Sequence, residues 1–262
     1  TGMSYSLLGI NTEILPFEAV KLCMHSQDLY YDFQLAKRVI ESNENISYCI
    51  IGIAYFSFDH DMSKSSSLFM AIENVYYPLL QDAHHYTAVK TVIKDGINNL
   101  DSSFWLPVPF DSPLLLKDYL TITHFNFNPE YQESKWYRPC ENLPNELLGK
   151  KRAHLHNKRN FPETVTENVK IFRQYLSLLR DRNIKPLIVI FPTSSYYNLY
   201  FSMETKKRFY DIINEVRKEF DFEILDCFDS PLFNITDFAD CDHLNKLGAA
   251  KMTRMINKAL ET

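Results

Sequence analysis

The chain has 262 residues, 45% hydrophobic and 23% charged, which is enough to bury a sizeable core as one large domain or one domain with an insertion. A net charge of −5 leaves no electrostatic footprint for nucleic acid, and no apolar run approaches the ~18 residues of a membrane span. No signal peptide is visible. The five cysteines (Cys23, Cys49, Cys140, Cys227 and Cys241) show no metal-ligand spacing. Cys23, Cys49 and Cys227 lie in apolar runs and read as buried free thiols, which points to a reducing, cytoplasmic compartment. The chain starts at Thr1, so removal of an upstream targeting segment would instead allow a cell-surface location.

In chain order, "TGMSYSLLGI" (1–10) offers Gly2 for a sharp turn, with Ser4 just behind it. "AVKLCM" (19–24) reads as a short buried strand, followed by "HSQ" and a helical pattern over 28–42 whose tyrosines pack inward. "ISYCIIGIAYF" (46–56) is the next buried strand. Residues 82–160 break the rhythm: they hold both tryptophans, Trp105 and Trp136, show weak periodicity, and read as an insertion over the carboxyl ends of the strands. Within them His84 and His85 are expected at the surface. "GKKRAHLHNKR" (149–159) reads as a solvated loop or, alternatively, a contact for an anionic polymer. His154 and His156 have a spacing that would suit a metal only if a carboxylate converged on them.

The regular alternation then resumes. A helix is predicted over 163–183, a strand over 186–191, pocket-lining residues from Thr193 to Tyr197, a helix over 203–220 and a strand over 222–228. "DFADCDHLNKLGAAK" (237–251) closes the series: Asn245 is a good N-cap, and Leu247, Met252, Met255 and Leu260 have helical spacing. Strands alternating with helices imply crossover connections and a parallel sheet covered on both faces. The expected fold is α/β: a single three-layer α/β/α domain over 1–262, with a doubly wound sheet of about five strands and an insertion at about 82–160.

Asp240 and His243 sit three apart between the last strand and the last helix, at the ligand end of such a sheet. The bland alternative is a helix cap with a surface histidine, and a further one is two ligands of a metal. As an acid–base pair, His243 would be the general base and Asp240 would fix its tautomer. Serine needs such a base because its own hydroxyl is a weak nucleophile, and Ser4 is the candidate.

Gly2–x–Ser4 at the start, Asp240–x–x–His243 before the last helix, and the alternating strands between resemble the SGNH (GDSL-type) hydrolases. The "DxxHLNxxGAxK" pattern resembles members linked to bacterial surface polysaccharides and teichoic acids. The resemblance implies Ser4 as nucleophile, His243 as base and Asp240 as its orienter. It also implies oxyanion binding by the backbone amides of Ser4 and of Ser26, which replaces the second-block glycine. Tyr55 stands where that family carries an asparagine oxyanion donor. The implied activity is an acyl-ester hydrolase or O-acyl(acetyl)transferase acting on a small acyl ester, a glycan or a cell-surface polymer. It needs no metal or bound cofactor; a transferase would draw on an acyl donor such as acetyl-CoA. The rival reading is a catalytically inactive SGNH-like module that binds a glycan or a partner, which the missing asparagine favours.

Overall fold

A computed structural model of the chain describes residues 1–87, 116–117, 119–120, 144–159 and 161–261. Trp105, Trp136 and Cys140 lie outside the described residues, as does most of the expected insertion. Three strands form a parallel sheet in the order β1 (Tyr48–Ile53), β2 (Lys185–Ile190) and β3 (Glu223–Asp226). The register aligns Tyr48 with Lys185 and Leu187 with Glu223. The strands are the expected apolar runs, and their parallel pairing follows from the helical crossovers between them.

Gly2 adds a single-residue parallel bridge to Gly52 on one side and to Cys23 on the other. It therefore lies between the 22–24 segment and β1. The predicted strand over 19–24 is thus reduced to one bridged residue, because the backbone beside it turns into a helix at Ser4. Gly2 is required at this point. Its φ is +131°, and a Cβ there would lie 2.2 Å from Ser6 Oγ and 2.5 Å from the Gly52 carbonyl.

The short helix α1 (Ser4–Gly9) follows at once, where the sequence suggested only a turn. Next come α2 (Leu29–Ser42), capped by the Asp28 side chain on Tyr31 N, and β1. The far side of the insertion is a helix, α3 (Glu146–Asn157), capped by Asn145. It replaces the solvated loop expected at 149–159. Then follow α4 (Pro162–Asp181), started by proline at its first position, β2, α5 (Ser195–Asn198), α6 (Met203–Val216), β3 and α7 (Lys246–Leu260).

The parity of β1 assigns the layers. Cys49 Sγ meets the Tyr175 hydroxyl of α4 at 3.2 Å, whereas a Cβ at Gly52 would run into Ser6 of α1. Positions of opposite parity on a strand face opposite sides, so α1 and α4 cover opposite faces of the sheet. Helix α2 packs beside α4, with the Phe33 and Tyr175 rings 5.6 Å apart. Helix α7 joins α1, where Thr253 Oγ1 accepts from Asn11 N at 2.9 Å. The buried stripe of α7 is Ala249, Met252, Thr253 and Ile256; Leu247, expected on that face, is exposed. Among the described residues no helix is long and apolar enough to cross a membrane.

Candidate active site

The site is built where two short segments meet at the carboxyl ends of the strands. Ser4 follows the Gly2 bridge and is the first residue of α1, so its amide has no carbonyl of its own helix to bond. The loop 238–244 after β3 is pinned from several sides. Phe238 and Leu244 form an antiparallel bridge, Ala239 N donates to the His243 carbonyl at 2.8 Å, and the Cys241 carbonyl accepts from Ser194 N and Oγ at 3.0 and 2.7 Å. Asn245 completes the hold by capping α7: its Oδ1 accepts from Leu247 N and Gly248 N. The cap reading of this stretch is therefore right for Asn245 and leaves Asp240 and His243 free for other work.

Ser4, His243 and Asp240 are brought together in one relay. His243 Nε2 lies 2.8 Å from Ser4 Oγ, and His243 Nδ1 lies 2.8 Å from Asp240 Oδ2. Asp240 Oδ1 also accepts from the backbone N–H groups of Asp242 and His243, at 2.9 and 2.8 Å. Because that carboxylate can only accept, Nδ1 carries the proton and Nε2 presents a lone pair to the serine hydroxyl. Ser4 and His243 are buried, while 56% of the Asp240 side chain is exposed.

The electrostatics follow from this geometry. Burial works against the charged form of His243, but Asp240 and then Asp242 outweigh it and hold the imidazole above its usual range. Burial likewise opposes ionisation of Asp240, and the His243 charge and the hydrogen bonds outweigh it, leaving its carboxyl well below the usual carboxylate range.

Three further residues, Asp242, Tyr5 and Arg152, adjoin the relay, and of these Tyr5 and Arg152 escaped the sequence reading. Asp242 is buried with its Oδ1 3.7 Å from His243 Nδ1. It accepts from Tyr5 Oη at 2.7 Å and from Arg152 Nε at 2.9 and 3.0 Å. The Tyr5 ring stacks on His243 at 5.2 Å. Tyr5 adjoins Ser4 and Asp242 adjoins His243, so both were within sight of the motif. Arg152 comes from the supposed solvated run, 90 residues from its partner, and no local pattern marks it.

The other anticipated residues are placed as follows. Ser26 lies in a turn with φ +56°, where its carbonyl accepts from His60 Nε2 at 2.7 Å. The preceding His25 ring is 6.4 Å from the His243 ring, so this loop borders the site. Tyr55 is buried with its hydroxyl donating to Asp226 Oδ2 at 2.6 Å, committed to the end of β3. Thr193 and Tyr197 line a small cavity together with Tyr5 and Phe56. His156 is buried, with Nδ1 2.6 Å from the Tyr197 hydroxyl, and His154 is edge-on to Tyr200, so the two are not a paired metal site. His84, expected at the surface, keeps only 10% of its side chain exposed, because it is sandwiched between the Tyr30 and His85 rings. Among the described residues two groups bring three ligand atoms each within 4.8 Å of one another: Asp240, Asp242 and His243, and Asp61, His84 and His85. In the first, hydrogen bonds to Ser4, Tyr5 and Arg152 already occupy the donors.

A buried serine, a histidine and a carboxylate in hydrogen-bonded series, at the strand ends of a parallel α/β sheet, define the serine–histidine–carboxylate class of site. Residues 145–261 match the family model described as DltD protein, which spans α3 to α7 and includes Arg152, Asp240, Asp242 and His243. That is a little under half of the chain, and Ser4 lies outside it. No curated protein matches the chain.

Proposed function

We propose that this chain is a serine-dependent acyl-ester enzyme of SGNH type, with Ser4 as nucleophile, His243 as general base and Asp240 as its orienter. The observation that carries the reading is the 2.8 Å contact between His243 Nε2 and Ser4 Oγ, made by residues 239 positions apart. His243 takes the hydroxyl proton as Oγ attacks the acyl carbonyl, then gives it to the departing alcohol. The acyl-enzyme is resolved by water or by a second hydroxyl, activated through the same nitrogen. The Ser4 amide at the start of α1 and the Ser26 amide bind the oxyanion; Tyr55, held by Asp226, does not take the place of the absent asparagine.

The order of segments across the sheet supports the doubly wound fold. Counting the bridged residues, it runs 22–24, 1–2, β1, β2, β3, which is the 2-1-3-4-5 order. Ser4 then follows the strand at which that order reverses, where open α/β sheets hold their ligands. The matched family, DltD protein, is linked to D-alanine transfer in teichoic acid biosynthesis. The substrate class proposed here is accordingly an acyl ester of a cell-surface polymer or its precursor, with the chain working at the cell surface.

The Tyr55 substitution favours one second reading, a glycan- or partner-binding module with no turnover. A fluorophosphonate probe separates the two. Ser4→Ala should abolish both labelling and turnover of small acetyl esters. Labelling that survives the substitution would place the nucleophile elsewhere, and a folded wild-type protein that takes no label would be the binding module.

A further inference from the structure

Arg159 ends the basic run, just past the C-cap of α3, where its amide donates to the His156 carbonyl at 3.1 Å. Its guanidinium carbon lies 4.5 Å from the centre of the Phe56 ring. The Phe56 ring is 6.3 Å from that of Tyr5, and the Tyr5 ring stacks on His243 at 5.2 Å. Two rings therefore separate this cation from the proposed base.

The carboxylates of this region are already taken. Asp59, whose charge acts on Arg159, is held by Arg208 Nη2 at 2.8 Å, and the buried Asp242 is held by Arg152 and Tyr5. Among the described residues no hydrogen bond or ion pair engages the Arg159 side chain. A ring face attracts the charge but offers no oxygen to the five N–H donors of the guanidinium fork. Burial works against that charge. The Tyr5 phenol opposes this most, yet its own pKa is pushed well up by burial, so it stays neutral and supplies no anion. An arginine cannot shed its proton to escape, so a partly buried cation remains with its donors unmet. Its field also helps burial to push His60 down to about 3, and the neutral His60 Nε2–H donates to the Ser26 carbonyl at 2.7 Å. The charge of Arg159 thus falls on residues beside both proposed oxyanion amides, those of Ser4 and Ser26.

We propose that Arg159 determines substrate specificity by binding an anionic group, phosphate or carboxylate, on the alcohol portion of the ester while the acyl carbon sits at Ser4. The inference rests on Ser4 and His243 acting as proposed above, and adds the charge of the molecule they act on. The planar fork fits either oxyanion with two parallel hydrogen bonds. The chain's net charge of −5 repels anions as a whole, so a preference for an anionic ester has to be local. The anion is remote from the reacting carbon and is held alike in ground and transition states, so its effect falls on KM rather than kcat.

The test is kcat/KM for acetyl esters whose alcohol carries an alkyl spacer of graded length ending in phosphate, carboxylate or a neutral hydroxyl. Wild type should prefer an anionic ester over its neutral counterpart by about 10–100-fold, the usual range for a hydrogen bond to a charged group, through a lower KM. The better anion identifies the group bound. The preference should appear only once the spacer spans the two rings, and should shrink at high salt. Arg159→Met keeps an apolar stem over Phe56 and should bring the ratio close to unity; Arg159→Lys, with the charge but no fork, should fall between. A second arm needs no turnover. The matching hydroxyalkyl phosphates and carboxylates are titrated into Ser4→Ala and into Ser4→Ala/Arg159→Met, with folding checked by circular dichroism, and followed by broadening of the ligand NMR lines. Wild type without fluorophosphonate labelling or turnover would sink the Ser4 chemistry, and this arm would still decide on Arg159. Equal broadening by the two proteins, or none by Ser4→Ala, would overturn the anion subsite. So would a wild-type preference that persists in Arg159→Met or is the same at every spacer length.

Discussion

Asp240→Asn tests the relay at its most informative atom. In the wild type Asp240 Oδ1 accepts two backbone N–H groups while Oδ2 holds Nδ1–H at 2.8 Å. An asparagine has one acceptor. Keeping its oxygen on the two amides turns its NH₂ toward Nδ1, where donor meets donor. The imidazole then favours the other tautomer, with a proton on Nε2 where Ser4 needs a lone pair. The same change in the protease template costs about 10⁴ in kcat, equivalent to about 5 kcal/mol of barrier. Two features reduce the loss here. Asp242 Oδ1 remains 3.7 Å from Nδ1 as a second carboxylate, and the half-exposed Asp240 position admits water. The expected fall in kcat/KM for acetyl-ester hydrolysis is about 10²–10³, or about 3–4 kcal/mol.

The pH profile carries the sign. In the proposed role His243 must be neutral to act as base, and its value is raised, so wild-type activity should be lost on the acid side through an inflection above the ordinary 6.5 or so. Removing the Asp240 charge lowers that inflection. Stability moves separately. The raised His243 value stabilises the fold fully below about 6.5 and loses that contribution as pH rises through the folded value, whereas the depressed Asp240 value stabilises above about 3.9 and loses it as pH falls. The loss of Tm in the variant should therefore be greatest between these limits and smaller in alkali. A folded Asp240→Asn protein with kcat/KM within twofold of wild type and an unmoved inflection would refute the orienting role. A fall to the level of Ser4→Ala would refute the compensation by Asp242.

Arg152→Ala should leave Asp242 buried with only the Tyr5 hydroxyl; it removes the cation that lowers His243, so the acid inflection should rise and the rate at neutral pH fall. The guanidinium is 39% exposed, so the stability cost should be of order 1 kcal/mol, read as roughly 2–4 °C in Tm; an unchanged profile would make the pair purely structural. Gly52→Ala should be strongly destabilising, because its Cβ would lie 1.7 Å from Ser6 Oγ and 2.8 Å from the Phe191 ring. Among the described residues Ser6 Oγ is buried without a hydrogen-bond partner, so Ser6→Ala alone should cost nothing and should partly rescue Gly52→Ala; denaturant unfolding of the three variants checks this, and strict additivity would refute the contact.

The elements set by local chemistry were legible. The apolar runs at 46–56, 186–191 and 222–228 mark β1, β2 and β3, the helical pattern over 28–42 marks α2, and the capping signal of Asn245 opens α7. The segment 19–24 misled because apolar content sets burial, whereas strand length is set by the neighbour, and here that neighbour contributes Gly2 alone. The run 149–159 misled for the opposite reason. Lys150, Lys151 and Arg152 resemble a solvated face, yet Gly149, Ala153 and His156 give α3 a buried stripe, with His156 bonded to Tyr197. A stripe of glycine, alanine and histidine has almost no hydrophobic signature, so periodicity cannot detect it.

The same limit shaped the reading of charged groups. Asp240 and His243 were visible because the pair is local and its geometry is carried by one loop. Asp242 with Arg152, and Glu167 with His84 and His85, are joined across 90 and about 80 positions by tertiary packing alone. In sequence each of these is one more surface charge or polar ring. Burial changes what they can do: an exposed ion pair has a median worth of about 0–1 kcal/mol, whereas a buried carboxylate needs a cation or several donors to persist. Asp242 obtains both from Arg152 and Tyr5, and its charge then falls on His243 as a second anion beside Asp240. The proposed base, His243, is thus tuned partly by a helix that the motif does not contain, which is why its pH profile should respond to Arg152 as well as to Asp240.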